Sequence, residues 1–319
     1  MYSNLKNFSS QIKRGKPSKV LKKKDNIIFM FMCFPLLISL IIFSYIPMCG
    51  IIIAFQDFNS RDGIFGSKFV GLKHFEFFFK SQDAWRITRN TVGMNLIFIF
   101  AGLIFAVVLA LMLYEVKKRI FTKTYQTILI LPNFISWVIV GYMMYTLLNP
   151  AQGIINHLLE SFNMKTVAWY SEAKYWPIIL AIASIWKKVG IDCIIYYAAL
   201  MGINHEYYEA AELDGATRLQ QIRYISIPFL IPIITILTIL AIGGIFRADF
   251  GLFYQLTRNS GELYETTDVI DTYVFRALKN MGEMSMSAAV GLFQSVVGFV
   301  LILVTNLIVS KTNPENSLF

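Results

Sequence analysis

Long runs without a single ionisable side chain constrain this chain more than any other feature. A helix needs about 20 mostly apolar residues to cross the hydrocarbon core of a bilayer. Four runs lacking Asp, Glu, Lys and Arg are long enough: Asn26 to Gln56, Val92 to Tyr114, Tyr125 to Leu148 and Met284 to Ser310. A fifth extends from Tyr224 to Phe246, and a sixth, Trp176 to Leu200, matches them in length but carries Lys187, Lys188 and Asp192. A soluble core cannot hide this much apolar surface; with 56% hydrophobic residues, 15% charged residues and a mean hydropathy of +0.56, the chain belongs in a membrane. The pattern predicts an all-α polytopic protein with six spans at 26–56, 92–114, 125–148, 176–200, 224–246 and 284–310. They form a domain over 26–310, between a basic N-tail (1–25) and a short C-tail (311–319).

Seven basic residues from Lys13 to Lys24 precede the first run, as in a secretory signal. That run is about twice the 7–15 residues of a cleavable segment, so it reads as an anchor. Positive charge then sets orientation, because Lys and Arg resist translocation. With the N-terminus inside, the cytoplasmic segments hold fifteen Lys and Arg against seven acids, whereas the outer loops hold twelve of each. Both termini are expected in the cytoplasm. Retention inside also accounts for the basic N-tail without a nucleic-acid arm or a specific lipid sensor. Cys33, Cys49 and Cys193 sit in apolar stretches without disulfide or zinc spacing and read as packing residues.

The most informative segment is the cytoplasmic loop 204–223, which runs Asn204-His-Glu206-Tyr207-Tyr-Glu209-Ala210-Ala211-Glu-Leu213-Asp214-Gly215-Ala216 and continues to Ile222, Ile225 and Pro228. Asn204 suits a helix N-cap, and Glu206 and Glu209 complement the dipole of a first turn. Gly215 ends the helix. Ala210 and Ala211 leave one side of it nearly bare, so it can sink into a groove on another protein. An amphipathic connector explains the alanines but not the whole spaced string.

At these residues the chain resembles the permease subunits of binding-protein-dependent ABC importers of type I. Their loop signature is E-A-A, two residues, D-G-A, then a hydrophobic position, Ile and Pro. Glu209-Ala210-Ala211, Asp214-Gly215-Ala216, Ile225 and Pro228 keep that spacing, two spans before the C-terminus. Ile222 replaces the usual Phe, and Asn204 stands where many members have Pro. The resemblance implies that Glu206, Tyr207, Glu209, Ala210, Ala211, Leu213, Asp214, Gly215 and Ala216 form a coupling helix that docks on an ATPase. It extends over nearly the whole chain beyond the N-tail, toward the sugar-importing branch related to the maltose permease and its subset for complex or acidic oligosaccharides. Three stretches carry it: Leu131 to Trp137 with Gly153 to Asn156, Ile185 to Gly190, and Gly243 to Tyr254 followed by Val269 to Tyr273. The implied partners are a second permease, two ATP-binding subunits, an extracellular solute-binding lipoprotein and an oligosaccharide, in a bacterial cytoplasmic membrane.

Charged groups at membrane depth face a protein interior or a watery cavity. Lys188 and Asp192 are four apart on a helix and can pair, leaving Lys187 for a partner subunit. The other reading is a direct role in the sugar path, with Lys187, Lys188, Asp192, Trp186, Asn133 and Trp137 near the cavity and Arg247 and Asp249 at the outer exit of the fifth span. Pro228, Pro232, Gly243 and Gly244 predict bends in that span.

Missing motifs decide as well. No G-x-x-x-x-G-K-[ST] occurs, so no cofactor is expected in this chain, with ATP and Mg held by the partner ATPase. His74, His157 and His205 form no H-E-x-x-H, and no G-x-S-x-G is present, which leaves a membrane-embedded enzyme without machinery. A stand-alone ion-coupled carrier calls for inverted repeats and acids within spans; only Asp192 fits.

Overall fold

The computed structural model describes residues 19–312, Pro314, Ser317 and Leu318. Residues 1–18 of the basic N-tail, and Asn313, Glu315, Asn316 and Phe319 of the C-tail, lie outside the described residues. The described chain forms two units, divided between Ile52 and Ile53.

In the first unit, α1 (Lys19–Leu40) continues into a π-helical turn at Ile41–Tyr45 and a short helical turn at Ile46–Met48. Pro47 accounts for the wider turn: its ring cannot donate a hydrogen bond and crowds the carbonyl four residues back. The backbone N–H of Ile46 bonds instead to the carbonyl of Ile41, five residues back. The apolar helical stretch Ile27–Phe55 is 29 residues long, enough to cross a membrane.

The second unit opens with a two-residue antiparallel pair, β1 (Gln56–Asp57) and β2 (Lys68–Phe69), in which Gln56 opposes Phe69. Two helices follow, α2 (Lys73–Lys80) and α3 (Gln82–Tyr114). The side chain of Ser81 starts α3 by accepting the N–H of Ala84 at 3.2 Å. After Arg89 the helix is uncharged to its end at Tyr114, about seven turns.

The run predicted as one span over 125–148 is broken. It forms α4 (Arg119–Ile130), a 3-10 turn (Leu131–Phe134) and α5 (Trp137–Leu148), with a bend of 92°. Pro132 removes one donor from the ladder, and Ile135 and Ser136 are extended. Ser136 then caps α5 by accepting the N–H of Ile139 at 3.4 Å. Apolarity alone could not reveal this, because prolines also occur within continuous membrane helices.

Beyond α6 (Ile154–Ser161) comes α7 (Trp176–Met201), 26 residues and about 39 Å long. Next are two short helices, α8 (Glu206–Leu213) and α9 (Arg218–Gln221). A π-helical turn (Ile222–Ser226) leads into α10 (Ile227–Gly243), so that Arg218–Gly243 forms one apolar span. The outer segment holds α11 (Phe250–Leu256) and α12 (Ile270–Arg276), and α13 (Met284–Thr312) closes the fold. Among the described residues, four helices are long and apolar enough to cross a membrane, or five if the broken pair counts as one. Helix α7 matches them in length but exceeds them in charge, so the sixth expected span rests on how its three charges are accommodated.

Helix α7 is the central post. Along its inner half, Val189, Cys193, Tyr196 and Leu200 pack with Ala106, Ala110 and Leu113 of α3 and Leu230 of α10. Ala106 and Ala110 are one turn apart and fully buried, which lets the two backbones approach. Such small-residue faces matter in lipid, where helix association gains little from hydrophobicity. Along its outer half, Trp176, Leu180 and Ala183 pack with Val140 of α5 and with Leu252, Phe253 and Leu256 of α11. Large side chains pointing away from these clusters, such as Phe100, Ile104 and Phe299, are about 60% exposed, as suits surfaces covered by lipid or another helix.

Candidate functional site

Two assemblies carry the chemistry: the short helix α8, and a node where α7 meets the broken span.

Helix α8 is built by its sequence. Asn204 Oδ1 accepts the N–H of Glu206 at 3.2 Å, and its amide donates to Glu206 Oε2 at 3.0 Å. Asn204 therefore serves the first turn from one residue earlier than an adjacent cap; His205 occupies the cap position and makes no capping bond with its side chain. At the other end Gly215 has φ +78°, where a Cβ is disfavoured. The Gly215 N–H bonds to the carbonyl of Glu212 at 3.1 Å and the Ala216 N–H to that of Ala211 at 2.9 Å. This pair of bonds is a Schellman closure, and it gives the D-G-A triplet its physical meaning.

One face of α8 is anchored and the rest is open. Tyr208 is 5% exposed; its hydroxyl lies 2.9 Å from Ser226 Oγ in the π-turn at the start of the fifth span, and its ring meets Tyr114 at 5.8 Å. Tyr207 and Leu213 are 54% and 89% exposed, and Glu206, Glu209, Ala210, Asp214 and Gly215 face outward as well. Ala211 and Ala216 are half-buried. Sequence reasoning singled out Tyr207 but not Tyr208, the residue that ties this helix to the spans. A tyrosine ahead of a serine across a proline-bearing entry was the available signal.

At the broken span, Lys187 resolves the backbone problem that Pro132 creates. Its ammonium donates to the carbonyls of Pro132 at 3.3 Å, of Asn133 at 2.9 Å and of Ile135, and lies 5.1 Å from the Trp137 ring centroid. Bending a helix inside a membrane orphans carbonyls that no water can reach, and a cation with three donors satisfies them. One turn further along α7, a Cβ on Gly190 would collide with the carbonyl of Leu129, so the two backbones touch there. Gly251 packs its bare Cα under the Trp137 ring in the same way. Leu131 to Trp137, Ile185 to Gly190 and Gly251 thus meet at one place.

Lys188 departs from the expected pairing with Asp192. It forms an ion pair with Asp249 at 3.0 Å, and Asp249 also caps α11 through the N–H of Leu252 at 3.3 Å. Among the described residues, Asp192 makes no ion pair. Lys188 and Asp192 instead line a cavity of about 320 Å³ between α3, α7 and α10, with Asn95, Ser184, Tyr196 and Thr238. Lys187, Asn133 and Trp137 stand in the helix break and not in this cavity, Trp186 is 41% exposed and outside it, and Arg247 turns to Ser295 Oγ at 2.8 Å. Asn95 is a polar group that sequence reasoning missed. Its amide donates to the carbonyls of Ile245 and Arg247 at 2.8 and 3.0 Å, closing the end of the fifth span.

The outer segment is held by buried carboxylates. Asp268, fully buried, pairs with Arg276 at 2.6 Å and with Arg86 at 3.0 Å. Asp271 accepts the N–H of Ala248 at 2.7 Å and the Gln294 amide at 3.3 Å; burial raises its pKa above the ordinary carboxylate value, against these hydrogen bonds.

Residues 99–314 match the family of binding-protein-dependent transport system inner membrane components, which takes in the second half of α3 and all of α4 to α13. The chain belongs to this family. As a member it is a non-catalytic, multi-pass subunit of the bacterial inner membrane, an ABC importer permease. Protein LplB of Bacillus subtilis (strain 168) is 35% identical over 296 residues, 92% of this chain and 91% of that protein. The polygalacturonan/rhamnogalacturonan transport system permease protein YteP of the same organism is 34% identical over 95% of this chain and 94% of its own length. Among solved structures, a bacterial alginate ABC transporter in complex with an alginate pentasaccharide-bound periplasmic protein superposes with a TM-score of 0.81 at 33% identity, over 91% of this chain and 96% of that one.

Proposed function

We propose that this chain forms, with a second permease of similar size, the path for ATP-driven uptake of an oligosaccharide delivered by an extracellular binding protein. Helix α8 is the coupling helix: two ATP-binding subunits hold ATP and Mg, and their closure pushes on Tyr207, Glu209, Ala210, Leu213 and the turn at Gly215. The observation that carries this reading is the division of labour on α8, an open face beside a buried Tyr208 bonded to Ser226 at the foot of the fifth span. A push on the open face reaches α10 through that bond. The relatives support an oligosaccharide as cargo, since one is named for polygalacturonan and rhamnogalacturonan transport and a structural neighbour was solved with an alginate-bound periplasmic protein.

For the path itself, Lys188 and Asp192 with Asn95 and Tyr196 form a polar wall at mid-span suited to sugar hydroxyls. Asn133, Trp137, Lys187 and Asp249 act as its frame, and Trp186 and Arg247 flank it. Proteoliposomes test the whole reading. With the second permease, the ATPase and loaded binding protein, labelled oligosaccharide should enter only when ATP is present on the ATPase side. Uptake by this chain alone, driven by a proton or sodium gradient, would overturn it.

A further inference from the structure

A second cavity, of about 230 Å³, lies between α5 and the C-terminal end of α11, apart from the one lined by Lys188 and Asp192. Tyr142 and Tyr145 of α5 and Tyr254 of α11 form its walls, and Arg258 stands at its edge. Its floor is fixed, because a Cβ on Gly141 would lie 2.8 Å from the carbonyl of Gln255; the backbones of α5 and α11 touch beneath it. Pockets for drug-sized ligands measure roughly 300–1,000 Å³, so this one suits a single ring.

Arg258 differs from the two arginines of the Asp268 network. Arg86 and Arg276 both pair with Asp268, whereas Arg258 makes no ion pair among the described residues. Its guanidinium lies 4.1 Å from the Tyr145 ring centroid, exposed and with its donors free for a ligand. The backbone that presents it is costly: Arg258 and Asn259 have φ of +55° and +51°, two successive left-handed residues without a glycine. Asn259 is locked there by Arg276 Nη1 at 3.1 Å, the Tyr264 hydroxyl at 3.1 Å and Thr257 Oγ1 at 3.2 Å. The buried Asp268 network thus ends in a turn whose product is one unpaired cation above aromatic faces. Nor does an internal anion compete for it: the neighbouring Tyr170, which meets Tyr145 edge-on at 5.5 Å, is pushed up to about 12 by burial and stays neutral.

We infer that this cavity is an outer subsite for one sugar ring bearing a carboxylate, the ring lying against the tyrosines and the carboxylate bound by Arg258. A planar guanidinium binds a carboxylate through two parallel hydrogen bonds, and tyrosine faces offer broad apolar contact to the C–H side of a pyranose. The inference rests on the importer reading and adds to it the chemistry of the cargo and a place where it meets the permease before the mid-span cavity.

Calorimetric titration of the whole transporter in nanodiscs tests it, with a galacturonic acid oligomer and its carboxyl-reduced neutral counterpart as probes. Wild type should bind the acidic oligomer more tightly than the neutral one. Arg258→Asn removes the charge and tolerates the left-handed backbone; it should weaken the acidic oligomer about tenfold and leave the neutral one within about twofold. Tyr142→Ala, at a side chain already 70% exposed, should weaken both. Equal wild-type affinities, no binding of either probe, or an unchanged Arg258→Asn variant would each overturn the subsite. ATP hydrolysis stimulated by loaded binding protein, measured on the same nanodiscs, separates this failure from that of the importer reading, whose loss would show as absent stimulation in wild type.

Discussion

Gly215→Val should uncouple the transporter, lowering ATP hydrolysis stimulated by loaded binding protein tenfold or more while the protein still inserts and assembles. The residue has φ +78°, and a β-branched side chain there costs about 1–3 kcal/mol. Relief of that strain requires opening the bonds from Gly215 to Glu212 and from Ala216 to Ala211 that close α8, which displaces Leu213 and Asp214. Each 1.4 kcal/mol against the competent conformer is a factor of ten. Gly215→Asn is the control. Asparagine tolerates left-handed backbone, so this variant should retain most of the stimulated rate. Loss in both variants to the same degree would mean that the turn acts by small size and not by conformation.

Lys187→Met should destabilise the permease by on the order of 2–4 kcal/mol, seen as a fall of roughly 5–10 °C in its melting temperature in detergent. Methionine keeps the stem and removes three donors, stranding the carbonyls of Pro132, Asn133 and Ile135 at the helix break. Lys188→Met should cost much less, because its ammonium is half exposed and its partner Asp249 remains partly solvated and still caps α11. The contrast between adjacent lysines is the informative readout. If both substitutions lowered the melting temperature equally, the carbonyl cage around Lys187 would not be the source of its effect.

How much of this was legible in the sequence differs from element to element. Apolar runs marked the long helices, because in a bilayer every lipid-facing residue obeys the same rule. The start and end of α8 were legible, since Asn204 and the left-handed Gly215 act locally. The break at Pro132 was not, because a proline in an apolar run is compatible with a straight or a bent helix until the partner of the freed carbonyls is known. That partner, Lys187, sits on another helix, and its adjacent charges Lys188 and Asp192 offered a pairing within α7 that looked sufficient. Lys188 found Asp249 instead, at the end of a different span. Tyr207 and Tyr208 show the same limit on a smaller scale: spacing places both on α8, but only contact with Tyr114 and Ser226 decides which one is anchored.

Coupling through α8 requires an ATPase to seat on its open face. The decisive measurement is a cross-link from Leu213→Cys, a side chain 89% exposed on α8, in a background with Cys33, Cys49 and Cys193 replaced by serine. Oxidation against a single cysteine scanned along the cleft of the ATPase should give a disulfide in the assembled complex, and transport-linked ATP hydrolysis should stop until the bond is reduced. If no cleft position cross-links to residue 213, or if the cross-linked complex hydrolyses ATP and transports at the reduced rate, α8 is not the coupling element.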